Sequence, residues 1–535
     1  DHFEGDTRIH TGVRTLGHVA VIDGDLRVDG VIGGDVLVLG GDLHFGPDGR
    51  VEGNATVVDG RAAADAYEHV GGTLTEQRTR SDLRSDARTR SSARSRSAAY
   101  RGSEWDEGRT RAHASVTGRI GPTYNRVEGL PVWIGPMVRT SGPAPLLLEA
   151  LGIWRTATGF DAREDELGYW LRLEQRFGRR SGPFVGARVY SVVNGVEDWS
   201  LSDAEASLAT LLLRDDFRDY YAAEGWSGYV GMRAWDQRLR LTLDYRREDH
   251  GFASVADPWT LGDDDELWRA QPLVAEGRIS TVGAEVVAGD TDDRDRRHGG
   301  WFVRAEARKG VDGTLVRPVY TQASGSVGAP RSFAAEDLAV GFVDLRRYAP
   351  LGPDARLDVR VLAGGSLNDR SLPAQFQHAF GGAGSLPGYR LFAGDCGART
   401  SGTAIRAASA GSSEPVFLDY GCDRFAALQV EYRGGLSFDF QFSDGRDEDP
   451  DNWGNWEDWD DGRHGFDASF EWSLFFDVAR GWLAPDSEAP GRAGTDTLMD
   501  AGAGVWFGGL GVLAAVPLDS EEHPVRFLIR LEQRF

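Results

Sequence analysis

Val525-Arg526-Phe527-Leu528-Ile529-Arg530-Leu531-Glu532-Gln533-Arg534-Phe535 reads as one amphipathic strand. Its odd positions are apolar except Gln533, and its even positions are charged except Leu528. Residues two apart share a face of a strand, so one face suits lipid and the other a wet interior. The same alternation recurs in 238–247 and 354–362, and Arg172-Leu173-Glu174-Gln175-Arg176-Phe177 repeats residues 530–535 letter for letter. From about residue 120 to residue 535, strand follows strand with period two. A soluble sandwich alternates as well, with its polar faces outward and its apolar faces meeting. The end of the chain separates the two readings, as set out below.

Composition narrows the class. The chain has 535 residues, with Lys+Arg 59 against Asp+Glu 83 and a net charge of −24. That balance argues against a nucleic-acid partner, which calls for a basic face to displace counterions from phosphates. Hydrophobic content of 41% with 70 Gly, 16 Trp and 25 Phe suits an all-β protein with many turns. Lys309 is the single lysine, so nearly all the basic charge is arginine. The uncharged run 501–518 is shorter than the roughly 20 residues a spanning helix needs, and glycines and Pro517 break it. This excludes a helical membrane protein and leaves a membrane barrel open. The opening Asp1-His2-Phe3-Glu4 has no signal-peptide character, so a mature form with its leader removed is expected.

Outward from the strand-rich region lie two segments of different texture. Residues 1–60 contain short valine strands that end in glycine, such as Gly24-Asp25-Leu26-Arg27-Val28-Asp29-Gly30 and Gly34-Asp35-Val36-Leu37-Val38-Leu39-Gly40. These units resemble the rungs of a small β-solenoid of the bactofilin type, with room for about three rungs; a hairpin meander is the competing reading. Residues 61–119 read as an Arg/Ser-rich linker. Its arginines at 78, 80, 84, 88, 90, 94 and 96 suit either a solvated linker or a tract that docks on anionic lipid or on the protein's own acidic loop. The domain plan is therefore 1–60, 61–119 and 120–535.

An amphipathic strand closed by Phe535 resembles the sorting signal of bacterial outer-membrane barrels, in which Phe527, Ile529, Leu531 and Phe535 would form the apolar signal face. A second stretch, Phe380-Gly381-Gly382-Ala383-Gly384-Ser385-Leu386-Pro387-Gly388-Tyr389-Arg390, is similar to the Gly-Gly loop of the BamA/TamA/FhaC surface-antigen barrels. In that family the loop folds back into the lumen and its arginine meets acidic residues on neighbouring strands. Residues 427–433, with Glu431 and Arg433, resemble the family's "ExR" strand, and residues 474–479, with Asp477, its "FxDxG" strand. Tyr124-Asn125-Arg126-Val127-Glu128-Gly129-Leu130 looks like an opening strand of related barrels.

The chain also departs from the family. Pro387 stands where the family has arginine, and Arg390 is the candidate to replace it, with Glu431 and Asp477 as its partners. The solenoid-like segment stands where the family carries POTRA repeats. Consecutive glycines permit close backbone approach, and Pro387-Gly388 favours a tight turn, so a loop that only fills the lumen is the alternative to a lock.

The resemblance implies an all-β fold: a 16-stranded antiparallel transmembrane β-barrel preceded by a small β-solenoid-like segment. Five strands are read after the Gly-Gly loop, around 423–434, 466–479, 498–507, 511–518 and 524–535. Ten are read before it, and parity calls for one more, placed near 314–323. The helix-like stretch 203–223 is left without a side. The implied location is the outer membrane, with the N-terminal region and the C-terminus periplasmic. The expected partners are outer-membrane lipids, with envelope protein clients or a periplasmic partner at residues 1–60, and no nucleic acid. Three functions follow as expectations: protein insertion or translocation, a structural anchor or scaffold, and a diffusion pore.

No catalytic constellation is present: there is no HExxH, GxSxG or P-loop, and the eleven histidines are scattered. Neither an enzyme nor a cofactor is expected. The acidic run 444–461 offers Asp447, Asp449 and Asp451 as calcium ligands, but off EF-hand spacing, so a solvated acidic loop is the leading reading. Cys396 and Cys422 fall just after the Gly-Gly loop, near the outer surface in the family topology, where oxidation favours one disulfide; two buried, reduced thiols are the alternative.

Overall fold

The architecture comes from a computed structural model. It describes residues 2–77 apart from 5–6, 12, 16–18, 23, 40, 47–48, 54, 59–61, 63–68 and 72–73. It also describes 112–535 apart from 159–166, 179–180, 263–266, 290–298, 323, 353–354, 398–400, 406–412, 418–420, 444–462, 488–493, 508–509 and 520–523. The arginine tract at 78–96 and the calcium candidates Asp447, Asp449 and Asp451 lie outside the described residues.

One antiparallel sheet dominates. Its strands, in chain order and in spatial order, are β1 (Ala112–Ile120), β2 (Pro131–Thr140), β3 (Leu146–Arg155) and β4 (Leu167–Arg176). There follow β5 (Gly182–Gly195), β6 (Tyr220–Ala234), β7 (Leu239–Phe252), β8 (Gly277–Gly289) and β9 (Gly300–Arg317). The next strand, β10, has two segments, Arg331–Ala334 and Ala339–Pro350, separated by a 3₁₀ turn at Ala335–Asp337. The sheet continues through β11 (Ala355–Ser366), β12 (Arg424–Ser443), β13 (Arg463–Trp482), β14 (Leu498–Phe507), β15 (Leu510–Pro517) and β16 (Arg526–Arg530).

The two segments of β10 pair with successive stretches of β9, 314–317 and 300–309, so seventeen segments make a sheet sixteen strands across. Eleven strands precede the Gly-Gly loop and five follow it. The parity argument holds, but among the described residues no additional strand of the large sheet occupies 314–323. Residues 314–317 are the end of β9, and Tyr320–Gln322 joins a small separate sheet. The sheet begins at Ala112, upstream of the boundary read at residue 120.

The burial pattern is inverted relative to a soluble sandwich. On β7, Leu241 and Leu243 are exposed while Glu248 and His250 are buried. On β4, Leu171 and Leu173 are exposed while Arg172 and Glu174 are buried. Charges on the inner face and aliphatics on the outer face are stable only when the outer medium is apolar. Several of the inner charges are paired, which offsets the cost of burying them: Arg360 donates to Asp344 at 2.8 and 3.0 Å, and Arg172 to Glu174 at 2.6 Å. Among the described residues, no helix is long and apolar enough to cross a membrane.

The barrel has two unlike ends. Short links 141–145, 177–181 and 235–238 join strands at the end where β1 begins and β16 stops. The long connections 196–219, 253–276, 318–330 and 367–423 all leave from the other end. Three of these contribute to a small five-stranded sheet, in the order Gln271–Pro272, Ser413–Phe417, Ser401–Ile405, Tyr320–Gln322 and Val327–Gly328.

The N-terminal residues form a solenoid-like stack of parallel strands with three faces. One face aligns Val19, Val36, Ala55 and Leu74 in a single column, and the other two align Leu26 with Leu43 and Val31 with Arg50. The interior is aliphatic, with Val21, Leu26, Val28, Ile32, Val38 and Leu43 fully buried. The first face holds five strands and reaches Gln77, so the stack exceeds the three rungs and the boundary at residue 60 expected from the sequence.

Candidate functional site

The lumen holds two inserted elements. The first is helix α1 (Asp203–Leu213), rich in Ala and Leu with Asp203 and Glu205 in its first turn. Ser202 caps it by accepting from the Glu205 N–H at 3.2 Å. This is the one helical part of the 203–223 stretch; residues from Tyr220 onward are β6. It enters from the long-loop end.

The second element is the Gly-Gly loop. Gly381 and Gly382 have φ of +119° and +79°, backbone positions that favour glycine. The Gly381 N–H donates to Ser385 Oγ at 2.7 Å, which tightens the turn, and Gln429 Nε2 on β12 donates to the Ser385 carbonyl at 2.8 Å. Pro387 and Gly388 are buried, and the Gly388 N–H donates to Asp500 Oδ2 on β14 at 2.5 Å. A Cβ at 388 would lie 2.7 Å from that of Asp500, so glycine is what lets the loop touch the wall. Tyr389 Oη donates to the Met499 carbonyl at 2.9 Å and also meets Asp519. Burial, aided by Asp519, pushes this phenol up. Phe380, Leu386 and Trp199 pack against the inward-facing Leu362, Phe425, Ala427 and Ala479. The loop is a packed plug.

The lock differs from the expected one. Arg390 is exposed, and the arginine that meets Asp477 is Arg534. Both members of that pair are 1% exposed. Glu431, also buried, accepts instead from Arg433 on its own strand at 3.0 Å. Tyr124–Leu130, read as an opening strand, is the connection between β1 and β2. Its Arg126 is fully buried and pairs with Asp219 at 2.8 Å and Asp216 at 3.3 Å, behind α1.

The site that sequence reasoning missed centres on Glu205. Its carboxylate accepts from Arg530 Nε at 2.7 Å and Nη2 at 3.0 Å. It also accepts the backbone N–H of Leu531 at 2.8 Å and of Glu532 at 3.2 Å. Arg530 Nη1 donates to the Ala383 carbonyl at 2.9 Å, which ties α1, the plug and β16 together. Strand pairing of β16 stops at Arg530, where Glu205 takes over the amides. Phe527 and Ile529 are 76% and 72% exposed, on the lipid side as expected, and Leu531 is exposed as well. Phe535 is not: it is buried, because the chain has turned into the lumen and carried Arg534 to Asp477. Among the described residues β1 and β16 do not pair with each other, so each has one partnered and one unpartnered edge. The Ser202-x-x-Glu205 spacing of a capping box was the one signal available in the sequence, and it marks a helix start rather than a latch.

Cys396 and Cys422 form the expected disulfide, with S–S 2.05 Å and Cα–Cα 4.8 Å. Contrary to a surface location, both are buried in the plug cluster beside Phe380 and Phe425. Replacing both with serine is expected to lower stability by roughly 3 kcal/mol on the chain-entropy estimate. The check is the urea midpoint in detergent with and without reductant; a midpoint that does not move would contradict it.

The fold and the site define a sixteen-stranded antiparallel barrel with a plugged lumen. No protein-family model and no curated protein sequence matches the chain. Among solved structures, the chain is similar to BamA from Haemophilus ducreyi lacking POTRA domains 1–3. That match has 12% identity and a TM-score of 0.41, over 78% of this chain and 70% of that one. It is also similar to CdiB from Acinetobacter baumannii at 8% identity and a TM-score of 0.30, over 78% of this chain and 58% of that one. CdiB from Escherichia coli matches at 10% identity and a TM-score of 0.33, over 78% of this chain and 61% of that one.

Proposed function

We propose that this chain is an outer-membrane barrel that inserts or translocates other envelope proteins by offering the edges of β1 and β16 as strand templates. One observation carries the reading: the two edges that should close the barrel are unpartnered among the described residues, and Val116, Phe527 and Ile529 beside them are exposed. Unpaired N–H and C=O groups are costly in lipid, so an open seam favours a client strand that pairs with it. The latch at Glu205 and Arg534 holds the end of β16 inward, which keeps this edge from closing on β1. The plug favours this reading over a diffusion pore, because Trp199, Phe380 and Leu386 pack against the inner wall. In this reading both termini face the periplasm, and the solenoid-like stack is the part of the chain that binds a periplasmic partner.

Depletion of the protein is expected to lower the assembled amounts of several other outer-membrane proteins, measured by quantitative proteomics and heat-modifiable gel mobility. Unchanged amounts would overturn the insertion reading. Complementation with a chain lacking residues 1–77 separates the roles: restored assembly assigns the function to the barrel, and lost assembly assigns client or partner binding to the stack.

A further inference from the structure

The inner wall formed by β4 to β7 carries a concentration of arginine that stands out in a chain of net charge −24. Two pairs of arginines stand directly opposite each other on adjacent strands, Arg172 with Arg188 and Arg233 with Arg240. Like charges at directly opposed positions destabilise a sheet, so each pair needs compensation. Arg172 has it, with Glu174 at 2.6 Å, and Arg233 lies 3.6 Å from the same carboxylate. Arg246, on β7, pairs with Asp244 at 2.8 Å.

Arg188 and Arg240 do not. Among the described residues no carboxylate lies within ion-pair distance of either, and the Nε of each is buried without a hydrogen-bond partner. Besides the Tyr229 ring, the groups close enough to act on the charge of Arg188 are three more arginines, Arg172, Arg246 and Arg240. Both unpaired guanidiniums rest on aromatic rings instead: Arg188 is 4.4 Å from the Tyr229 centroid, and Arg240 is 5.1 Å from that of Phe184. Glycines make room for those rings, since a Cβ at Gly186 or Gly231 would come within 2.4 Å of the Tyr229 or Phe184 ring respectively. Aromatic faces orient a cation at low cost but leave its donors unsatisfied. The cluster is open to water: Arg246 keeps 34% of its side chain exposed, and Arg233 and Arg240 flank the short link 235–238 at the barrel rim.

We infer that Arg188 and Arg240 form an oxyanion-binding site in the lumen wall that takes a phosphate group bearing two or more negative charges. The forked guanidiniums match phosphate oxygens in pairs, and the bound charge relieves the repulsion within the wall. A phosphorylated solute and a phosphorylated lipid headgroup share this chemistry, and the experiment separates them.

The full chain, folded in detergent, is treated with phenylglyoxal alone, with pyrophosphate, or with a short-chain phosphatidic acid. Modification at each arginine is then read by peptide mass analysis. Pyrophosphate is expected to reduce labelling of Arg188 and Arg240 at least fivefold while Arg278, exposed and paired with Asp249, is unaffected. Protection by phosphatidic acid alone assigns the site to a lipid headgroup, and protection by neither overturns the proposal. In calorimetry with whichever probe protects, Arg188→Gln with Arg240→Gln is expected to weaken binding at least tenfold, while Arg278→Gln leaves it unchanged. Equal binding by wild type and the double variant also overturns it.

Discussion

Glu205→Ala is expected to destabilise the folded barrel by about 3–5 kcal/mol, the range for breaking a buried ion pair by removing one partner. Arg530 and Glu205 are 4% and 6% exposed, so the orphaned guanidinium would find little water. The loss also strands the amides of Leu531 and Glu532, which have the same carboxylate as acceptor. Glu205→Gln should cost less, because a neutral oxygen still accepts while the charge attraction is gone. The urea midpoint of the gel mobility shift measures both, and hydrogen exchange at residues 531 and 532 gives a local readout. A midpoint within error of wild type for Glu205→Ala, with unchanged exchange, would remove Glu205 from its place as latch. If the latch sets the seam, cysteines placed at Gly118 and Ile529 should crosslink more readily in the Glu205→Ala background.

Arg534→Ala carries the second large effect, again about 3–5 kcal/mol. Its guanidinium lies 4.2 Å from the Phe475 ring centroid and pairs with Asp477, with Glu431 and Asp500 also acting on it. Removing it leaves Asp477 buried without its cation beside Asp500, with only Glu431 still paired, to Arg433. Replacing both partners, Arg534→Met with Asp477→Leu, should recover much of the loss, since an apolar pair of similar volume avoids desolvating charge. The double-mutant cycle is the test: additive losses would mean that Arg534 and Asp477 do not act as a pair. Exposure of Phe535 to a protease in Arg534→Ala alone would show the tail released from the lumen.

Much of the barrel was legible from local pattern, because lipid and lumen impose opposite demands on alternate residues of every strand. The odd–even alternation of 525–535 marked Phe527 and Ile529 as outward residues, and the five strands after the plug were placed from the same signal. The strand count reached sixteen by parity, but the position of the eleventh did not, because β9 and the two-segment β10 depart from the usual spanning length. Glycine pairs and Pro387-Gly388 marked the plug, since close backbone contact restricts side-chain size locally. The cysteine pair was legible too, because only one pairing was possible.

The partners of the buried charges were decided by tertiary structure. Arg172–Phe177 and Arg530–Phe535 are the same six residues, yet the first runs through β4 to Arg176 and the second leaves the sheet at Arg530. On β4, strands on both sides take the backbone groups, and Glu174 sits between Arg172 and Arg176 at 2.6 Å from each. At the end of β16 one side has no strand among the described residues, and Glu205, 325 residues away in sequence, supplies the acceptors. An amphipathic pattern states which face of a strand is wet, because that follows from two-residue periodicity. It does not state which carboxylate a wet-face arginine meets, because ion pairing depends on distances between strands and inserted loops that only closure of the fold establishes.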